Sequence, residues 1–413
     1  MEAEELAFQV RDVCLRVLGA DHPDTVLAMG NLAATYRYQG QWKEAEELEV
    51  HVRDVSLKVL GEGHPHTLLA MGNLAATYKN HGRWKEAEAL EFQVIDIRLK
   101  VFGADQPDTL SAMGSLAVTY LGQRRWKEAE RLQLQVRDGC LKVHGEEHQS
   151  TLFAMGNLAA AYLGQRRWKE AEKLQLQVRD GCLRVLGEEH QGTLSAMGNL
   201  AVTYRDQGRW KEAEELEVQV MYTRLRVFGE DHPHTLLAMG NLAATYRYQG
   251  WRKEAEELEV HVRDIRLRML GVEHPDTLLA MGSLAIMYNK QGRWAEAQEL
   301  QLRVRDGRLS LFGAEYPAML RTQAHLGFIY FSQGRWIEAE ALQPQAKDSS
   351  LTILGPEHPD TLRAIGNLAL TYNYQRRCQE ADDIQLPAYT LCCSVLGPDY
   401  PDMGHGEPRC NIQ

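Results

Sequence analysis

No stretch of these 413 residues approaches the 18 or more apolar positions that a membrane-spanning helix requires, and no Ser/Pro/Gly-rich linker divides them. The N-terminus, "MEAEELAFQV", is acidic and amphipathic where a signal peptide is basic and then apolar. Bases are in deficit: 46 Lys and Arg face 57 Asp and Glu, a net charge of -11. That balance argues against nucleic acid or an anionic membrane as the main partner, since both call for a basic surface. Cysteine is scarce, and its seven residues are odd in number and scattered, which points to reduced thiols in the cytoplasm and away from a disulfide framework.

Catalytic signatures are missing as well. There is no G-x-x-x-x-G-K-[ST] loop, G-x-S-x-G elbow, H-E-x-x-H pair or C-x-x-C knuckle, so neither an enzyme, a metal site nor a cofactor is expected. The chain's one abundance is repetition. Glycine recurs at Gly19, Gly61, Gly103, Gly145, Gly187, Gly229, Gly271, Gly313, Gly355 and Gly397, always 42 residues apart. Strict self-similarity at that period marks a repeat array, so the length does not count domains.

Each unit holds two helical patterns. Val26, Met29, Leu32, Ala33 and Tyr36 fall on one stripe and predict a helix over about 24–38, with Pro23 and Asp24 suited to its first turn. Trp42, Ala45, Leu48, Val52, Val55 and Val59 describe a longer second helix. Gly40 stops the first, and "LGEGHP" closes the unit. Ala33 and Ala45 are expected where the two helices cross, and Trp42 with its equivalents is expected to fill the gap between neighbouring units. The sixth unit reverses Trp and Arg to Trp251-Arg252, which predicts a weaker joint. His22, His64, His148, His190, His232, His274 and His358 recur at multiples of the period, one per unit, and read as turn and cap residues; His64/His66 and His232/His234 lack a further ligand for a metal.

These residues together predict an all-α fold, an α-solenoid of stacked helix-turn-helix units. Residues 1–18 align with 43–60 as a second helix without its first, 19–354 hold eight tandem units, 355–396 a degenerate final one, and 397–413 a frayed tail. A start without a capping unit suggests a fragment or a larger protein, and leaves end-to-end self-association open. Pro344 and Pro387 fall inside second helices, where a kink is expected.

Leu32, Ala33, Tyr36, Gly40, Trp42 and Ala45 resemble the pattern of tetratricopeptide repeats, in the 42-residue form typical of kinesin light chains and of the repeat arms of NB-ARC-type receptors. The departures are Met29 for the usual Trp, Ala33 for the second small residue, Glu49 for an aromatic, and a late closing proline, Pro65. The resemblance implies a right-handed superhelix whose first helices line an inner groove. On that face stand Leu27, Gly30, Asn31, Ala34 and Arg37 or Tyr38. Gly30 recurs as Gly72, Gly114, Gly156, Gly198, Gly240, Gly282 and Gly366, although glycine inside a helix costs about 1 kcal/mol against alanine. Two readings stand open: close approach of neighbouring backbones, or room for an extended peptide.

The candidate binding residues are Asn31, Asn73, Asn157, Asn199, Asn241 and Asn367, whose amides can pair with a peptide's N–H and C=O whatever its sequence. In the family, asparagines here hold peptide backbones; the other reading is a solvated amide. Arg37, Lys79, Arg205 and Arg247 bring positive charge and Leu121 and Leu163 an apolar middle, a combination suited to an acidic peptide with an apolar or aromatic anchor. Three roles follow: a protein-interaction scaffold, a kinesin light chain-like cargo adaptor, or the sensor arm of a nucleotide-binding signalling protein whose NTPase domain lies elsewhere.

Overall fold

A computed structural model describes residues 2–312, 317–356 and 359–396. They form nineteen helices and, among the described residues, no strand. The expected tail, 397–413, and His358 lie outside the described residues. The chain divides into two compact units, Met1–Leu258 and Glu259–Gln413.

The first unit contains α1 (Glu2–Leu18) and then the pairs α2 (Pro23–Tyr38) with α3 (Trp42–Leu60), α4 (Pro65–Asn80) with α5 (Trp84–Val101), α6 (Pro107–Gly122) with α7 (Trp126–His144), α8 (Gln149–Gly164) with α9 (Trp168–Leu186), and α10 (Gln191–Asp206) with α11 (Trp210–Phe228); α12 (Pro233–Gln249) follows, and the division falls inside α13 (Arg252–Leu270). From α1 to α12 each helix packs on the next, so the unit is an α-solenoid of stacked hairpins.

Local chemistry fixes the helix ends. His148 Nδ1 accepts the backbone N–H of Ser150 at 3.2 Å, capping α8. His22, His64, His190 and His232 cap their helices in the same way. Such a cap satisfies an N–H that the helix itself leaves unpaired. Three residues later a buried threonine reaches back: Thr67 Oγ1 donates to the carbonyls of Ser56 and Gly61 at 3.1 and 2.8 Å, tying α4 to the end of α3. Gly40 and Gly61 hold φ of 77° and 87°, a left-handed turn that a side chain resists.

Packing follows the predicted stripes. Ala33, Ala45, Ala75 and Ala87 are fully buried, and Leu74, Ala75, Tyr78 and Ala87 form one cluster flanked by Val50 and Leu90. A larger residue at such a crossing forces helices apart at a cost of about 1–3 kcal/mol. The tryptophans fill their gap only in part: Trp168 and Trp210 remain 37% and 40% exposed. At the first position of the second helix the indole lies on the rim, one face on the next unit and the other in water.

What closes the joint was not foreseen. Arg83 Nη1 donates to Glu46 Oε1 of the preceding unit at 2.6 Å, and its guanidinium lies 4.3 Å from the centre of the Tyr78 ring. Arg125 with Glu88, Arg167 with Glu130 and Arg209 with Glu172 repeat the ion pair at 2.7–2.8 Å, each over its own tyrosine. A glutamine two residues earlier joins in, as Gln207 Nε2 does on Glu172 Oε2 at 2.8 Å. Each such clasp is half-exposed, so about 1–2 kcal/mol is the scale for the ion pair and cation–π contact together.

The reversed pair lacks this clasp. Trp251 takes the arginine's place, 46% exposed and 5.3 Å from the Tyr246 ring, and Glu214 keeps only Gln249 among the described residues, at 2.9 Å.

The second unit carries α14 (Pro275–Lys290) with α15 (Trp294–Phe312), α16 (Pro317–Ser332) with α17 (Trp336–Leu354), and α18 (Pro359–Tyr374) with α19 (Cys378–Leu396). It is stacked likewise from α14 to α19, and His274 caps α14. Pro344 and Pro387 end neither α17 nor α19, both of which run their full 19 residues. Cys14, Cys140 and Cys182 are free thiols, but Cys378 is disulfide-bonded, against the expectation of reduced thiols throughout.

Exchanging the reversed residues, Trp251→Arg with Arg252→Trp, restores an arginine opposite Glu214 and Tyr246. The thermal unfolding midpoint should rise by a few degrees, on the order of 1 kcal/mol; calorimetry showing no change or a fall contradicts the clasp.

Candidate functional site

The first-helix face opposite the packing stripe is open. Leu27, Leu69 and Phe153 stand on it, Phe153 67% exposed. Asn31 and Asn199 are exposed, and Asn73, Asn157 and Asn241 are half-buried; in the second unit Asn367 is half-buried. Their side-chain amides have no hydrogen-bond partner among the described residues, and Asn157 Nδ2 is buried without one. Neighbouring first helices touch, α6 with α8 and α10 with α12, so in the first unit these positions lie on adjacent helices.

The glycines of this face have room to spare, and a Cβ on Gly114 would meet only Val136 Cγ1, at an ordinary 3.9 Å. A Cβ built on Gly30, Gly72, Gly156, Gly198 or Gly240 meets nothing within 4 Å, and the same holds for Gly282 and Gly366 in the second unit. No backbone approaches them closely, so packing does not explain their helix cost. Other glycines differ sharply: a Cβ on Gly122 would stand 2.5 Å from the Trp84 ring, and one on Gly164 would collide with Trp126.

The bases of the face are occupied. Arg37 Nε lies 3.3 Å from Glu49 Oε1, Lys79 Nζ 2.8 Å from Glu91 Oε1, and Arg205 Nη1 3.4 Å from Glu217 Oε1. These carboxylates are almost fully buried. Burial pushes the Glu49 and Glu217 carboxyls up, and the charges of Arg37 and Arg205 oppose that. Lys79 also donates to Ser115 Oγ at 2.9 Å, and Arg205 to the carbonyl of Asn241 at 3.4 Å, so each base spans to the asparagine position of the next unit. Arg247 is exposed.

Leu121 and Leu163 are half-buried, and the residue twelve positions on is glutamine, Gln133 or Gln175, in place of glutamate. The sequence keeps this rule without exception: Arg37, Lys79, Arg205 and Arg247 are followed at that spacing by Glu49, Glu91, Glu217 and Glu259, whereas Leu121, Leu163, Asn289, Phe331 and Asn373 are followed by Gln133, Gln175, Gln301, Gln343 and Gln385. A charge on the face thus brings its buried counter-charge with it. In the second unit His325 replaces the asparagine. Desolvation, helped by Arg363 and Arg321, pushes its imidazole down to about 4, so at neutral pH it offers one donor and one acceptor, as an amide does.

Among the described residues no group of three or more His, Cys, Asp or Glu is placed to hold a metal ion, and no helix is long and apolar enough to cross a membrane.

A stack of helix hairpins, with one face of its first helices left open and lined by unpaired amides, defines a helical repeat protein of the interaction type. The tetratricopeptide repeat is matched at residues 25–66, 67–108, 235–276 and 277–317 in one form, and at 108–180, 150–221 and 318–394 in another. The chain belongs to the tetratricopeptide repeat family. It is similar to the nearly identical repeats of a Podosopora anserina putative kinesin light chain, 32% identical over 49% of this chain and 95% of that one, with a TM-score of 0.42. The Rap protein complexed with competence and sporulation factor is 13% identical, covering 90% of this chain and 99% of that one at a TM-score of 0.53. The quorum sensor NprR from B. thuringiensis is 15% identical, covering 87% and 99% at 0.55. These two share the fold. No curated protein is matched.

The charge rule is open to a double-mutant cycle. Arg205→Leu alone leaves Glu217 buried without its counter-charge and should cost about 3–5 kcal/mol, whereas Arg205→Leu with Glu217→Gln, the pattern of the third and fourth units, should come close to the parent. A carboxyl raised by burial is stabilising while protonated and loses that contribution as pH rises through its folded value, so the single variant's deficit should shrink as the pH is lowered through the carboxylate range. Additive effects in urea unfolding argue against the pairing.

Proposed function

We propose that the chain is a non-enzymatic protein-interaction scaffold that captures extended segments of partner proteins on the first-helix face, through its asparagines. The tetratricopeptide fold is generally a binding scaffold, and no catalytic family is indicated. The observation that carries the reading is the pairing of amides that make no side-chain contact within the protein, Asn157 Nδ2 buried among them, with glycines that face open space. Each glycine costs its helix about 1 kcal/mol, each amide is free to bind a peptide group, and neither has a use within the fold. Because the bases of Arg37, Lys79 and Arg205 are matched by buried carboxylates, we infer that the face has little net attraction for acidic ends, and that shape and the amides carry recognition.

The test begins with nine-residue peptides selected by the parent protein from a random display library. Replacing Asn157 and Asn199 by alanine should weaken capture of the selected peptides by about 1–3 kcal/mol with helicity unchanged. Equal affinity for parent and variant removes the amides from the mechanism. Replacing Gly156 and Gly198 by alanine should have two opposite effects: higher stability, by about 1 kcal/mol per site, and weaker peptide capture. A gain in stability with full binding would return the glycines to accident.

A further inference from the structure

Within this first-helix face, and resting on its reading as a peptide-binding surface, we propose that the third and fourth repeats form the anchor site: an uncharged extended segment places an apolar side chain on Leu121 and Leu163 and its adjoining peptide group on the amides of Gln133 and Asn157.

Gln133 is the anomaly. Its side chain is 0% exposed, yet neither Oε1 nor Nε2 has a partner. Elsewhere the same position is served through at least one atom, although Glu49 Oε2, Glu217 Oε2, Gln301 Oε1 and Gln343 Nε2 are unpaired. Glu91 accepts from Ser115 at 2.7 Å and Thr119 at 2.6 Å, Gln175 accepts from Thr203, and in the second unit Gln343 accepts from Thr371 at 2.7 Å. Moving the contacts of Glu91 along by one period sets Gln133 against Leu121, Asn157 and Ala161. The threonine has become alanine, the base has become leucine, and Asn157 Nδ2 is itself unpaired. Buried polar atoms are rarely left so, and each calls for an occupant. Two amide donors and an amide acceptor match one peptide group.

The surroundings fit that occupant's chemistry. These two repeats alone in the first unit carry leucine where the others carry a base paired with a buried carboxylate, so a charged segment finds no counter-ion here. Leu121 packs against the buried cluster that contains Tyr120 and Ala161, so an apolar side chain set on it extends an apolar surface already present. Gly122 and Gly164 let the rings of Trp84 and Trp126 close in beside the leucines, and Phe153 stands one turn before Asn157.

The experiment uses the full chain and the consensus peptide from the nonapeptide library. That consensus should hold an apolar residue among uncharged neighbours; an acidic consensus overturns the proposal. Ala161→Thr supplies Gln133 with the hydroxyl that Gln175 already has. It should raise the melting temperature and weaken the consensus peptide about tenfold or more, as the peptide loses a hydrogen bond to a buried group. Gln133→Leu, which removes the orphaned atoms without adding volume at the crossing, should weaken it similarly. If both variants bind as the parent does, the anchor is wrong; should Asn157→Ala with Asn199→Ala still weaken binding, the wider face survives, and should that pair also bind normally, both readings fall.

Discussion

A hairpin of two helices cannot bury both of its apolar faces by itself, and everything else in this molecule depends on how it borrows its neighbour's. Buried alanines let the helices approach. The arginine of the turn then reaches back over its own tyrosine to the glutamate of the preceding unit. The two devices divide the labour. Apolar burial supplies most of the stabilisation and is indifferent to register, whereas a directional ion pair over an aromatic ring selects one offset between units. Where Trp251 displaces the arginine, the burial remains and the direction is lost.

Much of this was legible in the residues. The period, the two helices and their ends, the small residues at the crossing and the capping histidines all follow from rules that act within a few positions of one another. The clasp between Arg83 and Glu46 was not read, because its partners are brought together only by stacking, which no local rule describes. The burial of the tryptophans was overstated for a related reason: a large apolar side chain implies contact, but whether both faces find it depends on the rim geometry of the next helix. The link between Arg37 and Glu49 did leave a signal, since glutamate and glutamine alternate in step with base and neutral residue along the chain.

The first-helix face shows the opposite economy from the interior. Inside, threonines such as Thr67 and Thr119 tie one helix to another, and glycine occurs where an indole or a leucine needs the space. Outside, Asn157 Nδ2 has no partner and glycines front open space. Stability is forgone along one stripe and nowhere else so consistently.

The ion pair between a face residue and its buried carboxylate joins two helices of the same hairpin, whereas the clasp uses residues that nearly every hairpin supplies in the same place. Each cassette therefore carries the counter-charge of its own face residue and offers its neighbour a standard joint. Copying, deleting or reordering whole cassettes keeps each face charge with its buried carboxylate, so an array of this kind can lengthen or change its lining in one genetic step without first repairing its interior.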